Sequence, residues 1–260
     1  MAVMDEFKEE RERMKTQPFK VRFAHFGDYH KYHVLAAAFA LFMIGEFIYS
    51  KITATETVFM TAFIDCYTDI NTSEEYENKL MNIMGIDPKE EDIILDTYSI
   101  SSTQQTGDTS AFDKLSVHMA AHELDVFMAP EDMFRRYSND ELFYDLREIL
   151  TADQLEKYQD DFYYIDYALI ESGYYEEILF SENGTPLAFT DSLDHSNPKT
   201  MEKPIPVGIY LTGNKEFQDY YKFYTSEDQE VVFGVACYCD EQAINYGLQF
   251  LDIVTAETAE

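Results

Sequence analysis

Residues 120–138 read AAHELDVFMAPEDMFRRYS, and the succession of residue types in that stretch decides how the rest of the chain is read. The run 124–128 is short, apolar and bounded by charge, the pattern of a strand buried on both faces. Pro130 then takes an expected first helical position. Glu131 and Asp132 follow in the first turn, where the helix dipole favours negative charge. A buried strand passing directly into a helix is the unit from which parallel sheets are built, so the flanking sequence is searched for copies of it.

Upstream there are two. Residues 58–66 carry the β-branched and aromatic content of a first strand. Thr72 and Glu75 then form a capping-box pattern, with Tyr76, Leu80, Ile83 and Met84 on one helical face, Gly85 as a stop and Pro88 beyond. Residues 92–100 (DIILDTYSI) read as a second strand, and Thr109 opens a helix with Phe112, Leu115 and Met119 on one face. The resulting β-α-β-α-β-α order predicts an α/β fold. Its sheet is mostly parallel, with right-handed crossovers and helices on both faces.

Downstream the pattern loosens. Residues 158–203 are tyrosine-rich and polar, with some antiparallel strand expected among them. Strands at 205–211 and 231–238 bracket a helix from Lys215, and a last amphipathic helix spans about 241–254 with Ile244, Leu248, Leu251 and Val254 as its buried stripe. Gly208 to Lys215 (GIYLTGNK) has a phosphate-loop rhythm but places Asn214 where Lys belongs, so it reads as a strand entering a turn.

The stretch 120–138, followed by LFYDLREIL at 142–150, resembles the first lobe of type 2 periplasmic solute-binding proteins, where an E-x-D-V strand leads into a helix and then a DL…L segment. The C-terminal VVFGVACYCDEQAINYGLQFLDIV, residues 231–254, is similar to the late strand and amphipathic helix that return to that lobe. The resemblance covers most of 57–155 and 204–254 and implies the fold of one lobe. A full second lobe needs roughly a hundred residues. Only the stretch between Tyr158 and Lys203 is available for it, so the second lobe is reduced and a ligand trap is implied less firmly than the fold.

Charge divides the chain. The 260 residues carry 50 acidic and 19 basic side chains, for a net charge of −31. Residues 1–33 are near neutral, and the acidity lies beyond residue 51. A cationic face for phosphates is missing, so nucleic acid is excluded as a partner. The 20 Tyr and 20 Phe supply enough core-forming area for the remainder to fold despite its charge.

Between the two parts, residues 34–44 read VLAAAFALFMI and the apolar character continues to residue 52, with Glu46 and, near its end, Lys51 as its charges. Nineteen helical residues reach about 28 Å, close to the hydrocarbon thickness of a bilayer. A secretory signal would not carry so long a polar leader. An interfacial helix would need a strongly polar face, which is not seen. A core helix of a soluble protein remains an alternative because the unbroken apolar run is short. The organisation expected is a tail at 1–33, a transmembrane helix at 34–52 in a lipid bilayer, and an acidic domain at 53–260. Seven Lys and Arg precede the helix and only Lys51 closely follows it, which places the N-terminus in the cytoplasm and the domain outside.

No G-x-S-x-G or G-x-G-x-x-G occurs, and no catalytic residue, metal ligand or cofactor is assigned. His118 and His122 are spaced for zinc on a helix but lack a third ligand, and a solvated helix face is the expected reading. Cys66, Cys237 and Cys239 are expected as free thiols, the last two on one face of a strand. Open α/β sheets place ligands beyond the carboxyl ends of their strands. That rule selects Tyr67 and Thr68, Ser101 and Ser102, and Pro130 and Glu131 as candidate ligand-binding residues. The expected function is a non-enzymatic, membrane-anchored domain that binds a protein partner or a small solute, with a cation- or peptide-binding component of a transporter as the alternative.

Overall fold

In a computed structural model of the chain, the described residues are 12–13, 15–53, 55–100, 109–139, 141–174, 193–211, 215–223 and 230–256. They fall into two units, residues 1–54 and 55–260.

The first unit is a single helix, α1, spanning Phe19–Thr53. It starts just after Pro18, a residue tolerated at a helix start because its missing N–H would be unpartnered there anyway. The basic and aromatic flank before residue 34 is therefore helical too. Within α1, Tyr32–Lys51 form a 20-residue stretch of mean hydropathy 1.6, none of it buried in the structure.

The second unit is an α/β fold around a six-stranded sheet. Its strands are β1 (Glu56–Ile64), β3 (Glu91–Tyr98), β4 (Val126–Pro130), β5 (Phe162–Asp166), β6 (Pro204–Leu211) and β8 (Val231–Val235). They lie in the order β3-β1-β4-β8-β6-β5. β1 pairs in parallel with β3 and β4, whereas β8 is antiparallel to both β4 and β6, and β5 is antiparallel to β6. Four of the six strands thus share one direction. β8 returns to the sheet beside β4, as the resemblance implies. A two-residue ribbon pairs β2 (Cys66–Tyr67) with β7 (Lys222–Phe223).

Helices cover both faces. On one lie α2 (Ile70–Met84), α8 (Lys215–Tyr220) and α9 (Glu241–Thr255), enclosing a core that includes Phe59, Phe63, Tyr76, Leu80, Tyr221 and Phe250. On the other lie α3 (Thr109–Ala120) and α4 (Glu131–Ser138), with Met60, Ala62, Phe127, Phe134, Phe143 and Tyr163 between them and the sheet. Alternation along β1 sends Phe59 and Phe63 to the first core and Met60, Ala62 and Ile64 to the second. Short helices α5 (Leu146–Ile149), α6 (Ala152–Tyr158) and α7 (Tyr167–Glu171) complete the unit.

Two glycines allow the second face to close. Phe134 and Phe143 stack at 4.5 Å with rings 7° apart, directly over adjacent strands. A Cβ on Gly234 would meet Phe134 at 2.8 Å and Phe143 at 2.9 Å, and one on Gly208 would meet Phe134 at 2.9 Å. Only hydrogen fits beneath the ring pair.

Several sequence expectations shift in detail. Pro130 is the last residue of β4 and the N-cap of α4, not its first helical residue. α2 begins upstream of Thr72 and buries Met81, leaving Ile83 exposed; Gly85, at φ +75°, ends it as expected. The buried stripe of α9 runs through Ala243, Gly247, Phe250, Leu251 and Val254, with Ile244 and Leu248 on its flank. The rotation arises because Phe250 is drawn against Phe59 and Phe63, at 5.7 and 6.2 Å between ring centroids. β8 stops at Val235, so Cys237 and Cys239 lie beyond the strand, the first exposed and the second buried.

Candidate binding site

The carboxyl ends of β1 and β4 lie side by side, and the sequence-predicted residues sit along that rim. Tyr67 is exposed and pairs with Lys222 in the ribbon. Thr68 donates its hydroxyl to the Tyr220 carbonyl at 2.9 Å. Pro130 is buried, and the Glu131 carboxylate accepts from Arg135 one turn on at 2.9 Å. Ser101 and Ser102 lie outside the described residues.

Between these residues stands one that pattern reading passed over. Asp65 links β1 to β2 with φ +51°, and its N–H donates to the Tyr98 carbonyl at 2.7 Å. Burial, and secondarily the charge of Asp132, push its carboxyl above the ordinary range. Beneath it the Cys66 thiol is pushed up to about 12, chiefly by burial, and is therefore an unreactive core group. At the carboxyl end of β1 the chain thus runs on into the ribbon, where Cys66 pairs with Phe223.

The opposite rim is open. Where β1 and β4 begin and β8 ends, a cleft of about 580 Å³ is lined by residues from Glu56 to Met60, His118 to Asp125, and Tyr238 to Ala243, with Ile94 at its base. Local geometry explains why these segments leave a gap. β1 carries a bulge at its start, where Thr57 pairs with Asp92 but Phe59 with Ile93, so that Val58 is an extra residue aimed differently from its neighbours. α3 ends with a turn in which the Glu123 N–H reaches back to the His118 carbonyl at 3.0 Å and His122 takes φ +57°. That is the left-handed closure usually made by glycine. Asp240 caps α9, accepting the Ala243 N–H at 2.9 Å.

Asp125 is the pivot of this corner. Its Oδ2 accepts the Met60 N–H at 2.7 Å, its Oδ1 faces Cys239 Sγ at 3.5 Å, and its own carbonyl accepts the Ala236 N–H at 2.9 Å. One residue therefore binds together the ends of three strands. Burial raises its carboxyl to about 6; the two side-chain hydrogen bonds oppose that rise and nearby Asp240 adds to it. The Cys239 thiol is raised too, by burial first and then by Asp125.

The two histidines do not share a helical face, since α3 ends between them. His118 Nδ1 lies 2.7 Å from Glu123 Oε2, and the His122 ring stacks flat on Tyr238 at 4.4 Å and 9°. Among the described residues no three His, Cys, Asp or Glu side chains are placed to hold a metal ion. Asp125 and Asp240 were missed because position in an acidic sequence does not distinguish them. The usable signal was an Asp standing directly before an apolar strand, where its carboxylate is drawn into the sheet.

No family model matches the chain, and no curated protein matches it. Among solved structures, the ABC substrate-binding protein Lmo0181 from Listeria monocytogenes, in complex with cycloalternan, is similar at a TM-score of 0.34 and 10% identity. The match spans 77% of this chain and 76% of that one. The fold class stated above rests on the sheet itself.

Proposed function

We propose that this chain is a membrane-anchored, non-catalytic binding protein whose acidic α/β domain stands outside the cytoplasm. The observation that carries this reading is α1. Twenty consecutive residues of mean hydropathy 1.6 have no protein covering them. Both hydrophobic cores are built from residues beyond position 57, in the second unit. Each Leu, Phe or Ile left in water costs about 1.5–3 kcal/mol relative to burial, and bilayer hydrocarbon removes that cost. The excess of Lys and Arg before the span favours a cytoplasmic N-terminus.

The contact surface we assign is the carboxyl-end rim: Tyr67, Thr68, Pro130 and Glu131, with Ser101 and Ser102 from the segment after β3. The partner is another protein or a small solute, and the return of β8 and α9 to the sheet favours the solute reading, in which the domain serves a transporter.

Fractionation with a carbonate wash, followed by protease treatment of intact cells bearing an epitope at each terminus, tests the anchoring. Retention in the membrane with loss of only the C-terminal epitope is expected. Release by carbonate would end the reading.

A further inference from the structure

The open cleft at the amino-end rim has no role in the reading above, and its chemistry is unlike that of the surrounding surface. Glu56, Glu123, Asp125 and Asp240 line it, and among the described residues no Lys or Arg does. Elsewhere in the domain five bases face carboxylates: Lys114 and Asp96, Arg135 and Glu131, Arg147 and Asp145, Lys157 and Asp252, and Lys203 and Glu171. His118, which faces Glu123, and His122, stacked on Tyr238, are the two histidines of the lining. Val58, Met60, Ile94 and Ala243 give the lining an apolar part, and the stacked His122–Tyr238 pair is also in it. A volume of about 580 Å³ is that of a small-molecule site rather than a solvation groove.

A metal ion does not suit this arrangement, because its ligands must converge on one point and the described carboxylates do not. Dispersed negative charge in a lining that also has an apolar part and an aromatic ring suits a cation that has a body. The ammonium meets the carboxylates and the aromatic face, and the hydrocarbon meets Met60 and Ile94. We propose that the cleft is a binding site for a small organic ammonium ion, seated against Asp125 and separate from the carboxyl-end rim.

The site couples binding to protons. Asp125 has its carboxyl raised to about 6, and a cation beside it favours the ionised form, so binding near that pH releases a proton. Affinity therefore rises with pH through about 6. The groups facing Asp125 are Asp240 and Cys239 from the β8–α9 turn, the Met60 N–H from β1, and Glu56, Glu123, His118, His122 and Tyr238 around the cleft. The Asp125→Asn variant isolates the carboxyl's own part.

The experiment is isothermal titration of the full-length protein in detergent with benzylamine and cyclohexylamine, beside benzyl alcohol and calcium chloride. At pH 7.5 the amines bind and the alcohol does not, and at pH 5.0 amine affinity falls about tenfold. At pH 6.0, two buffers of different ionisation enthalpy report release of a fraction of a proton. Asp125→Asn weakens binding at least tenfold and flattens the pH profile. Glu56→Gln, at the exposed lip where folding is not at stake, weakens it several-fold, and Glu156→Gln on α6 changes nothing. Absence of binding by both amines, equal binding of the alcohol, displacement by calcium at stoichiometric concentration, or indifference to Glu56→Gln overturns the proposal. Because the readout is soluble-phase binding, it stands or falls independently of membrane anchoring.

Discussion

The two rims of the same sheet treat acidic side chains in opposite ways. At the carboxyl ends of β1 and β4, Glu131 is paired with Arg135, Thr68 is tied to the Tyr220 carbonyl, and Cys66 pairs with Phe223 in the β2–β7 ribbon. At the amino ends, four carboxylates line an open cleft, and among the described residues no Lys or Arg stands in its walls. The contrast teaches that acidity by itself marks nothing in a chain of net charge −31. What distinguishes a site is where the fold withholds the counter-ion and leaves room.

The largest effect expected strikes the support of the closed rim. Phe134→Ala removes the ring that holds α4 over Gly208 and Gly234, and urea unfolding should show a loss of about 3–5 kcal/mol. Loss below about 1 kcal/mol would mean that α4 is held by something other than this ring.

Next comes the open rim. The Asp125 carboxyl is raised by burial to about 6 in the folded state, from an ordinary 3.8. The folded protein therefore holds this proton more tightly than the unfolded chain. The stability it contributes is complete in acid and is lost as pH rises from about 4 through about 6. Asp125→Asn removes that dependence, so the change in unfolding free energy between pH 4 and pH 7 should be smaller in the variant by about 2–3 kcal/mol. Comparing the two proteins cancels the contribution of the other carboxylates, and identical slopes would show that the rims do not differ in this respect.

Smaller effects sharpen the picture of the closed rim. Thr68→Val deletes a partly buried hydrogen bond between the ribbon turn and α8 and should cost about 1 kcal/mol in urea unfolding. Glu131→Gln breaks an (i, i+4) pair and should cost no more than about 0.5 kcal/mol, with the small loss disappearing in 1 M salt.

Much of the fold was legible because its signals are local. The apolar run at 124–128, Gly85 after α2 and the existence and extent of the helix at 241–254 each reflect a signal that a short window contains. The errors were errors of phase. Ile83 and Met81 lie on opposite edges of one helical stripe, and which is buried depends on where α2 meets β3, a non-local fact. His118 and His122 looked like a helical pair until α3 ended between them. The predicted site residues were chosen by a rule about parallel strands, and that rule directs attention to one rim only.

The sequence by itself determined an α/β domain, a long apolar helix before it and the confinement of negative charge to the domain, because hydrophobic period and net charge are properties of consecutive residues. Only the tertiary structure decided which rim is open. The cleft exists where the bulge of β1, the left-handed turn at His122 and the cap of α9 meet, bringing Glu56, Asp125 and Asp240 to one corner from positions far apart in the chain. No window of sequence contains all three.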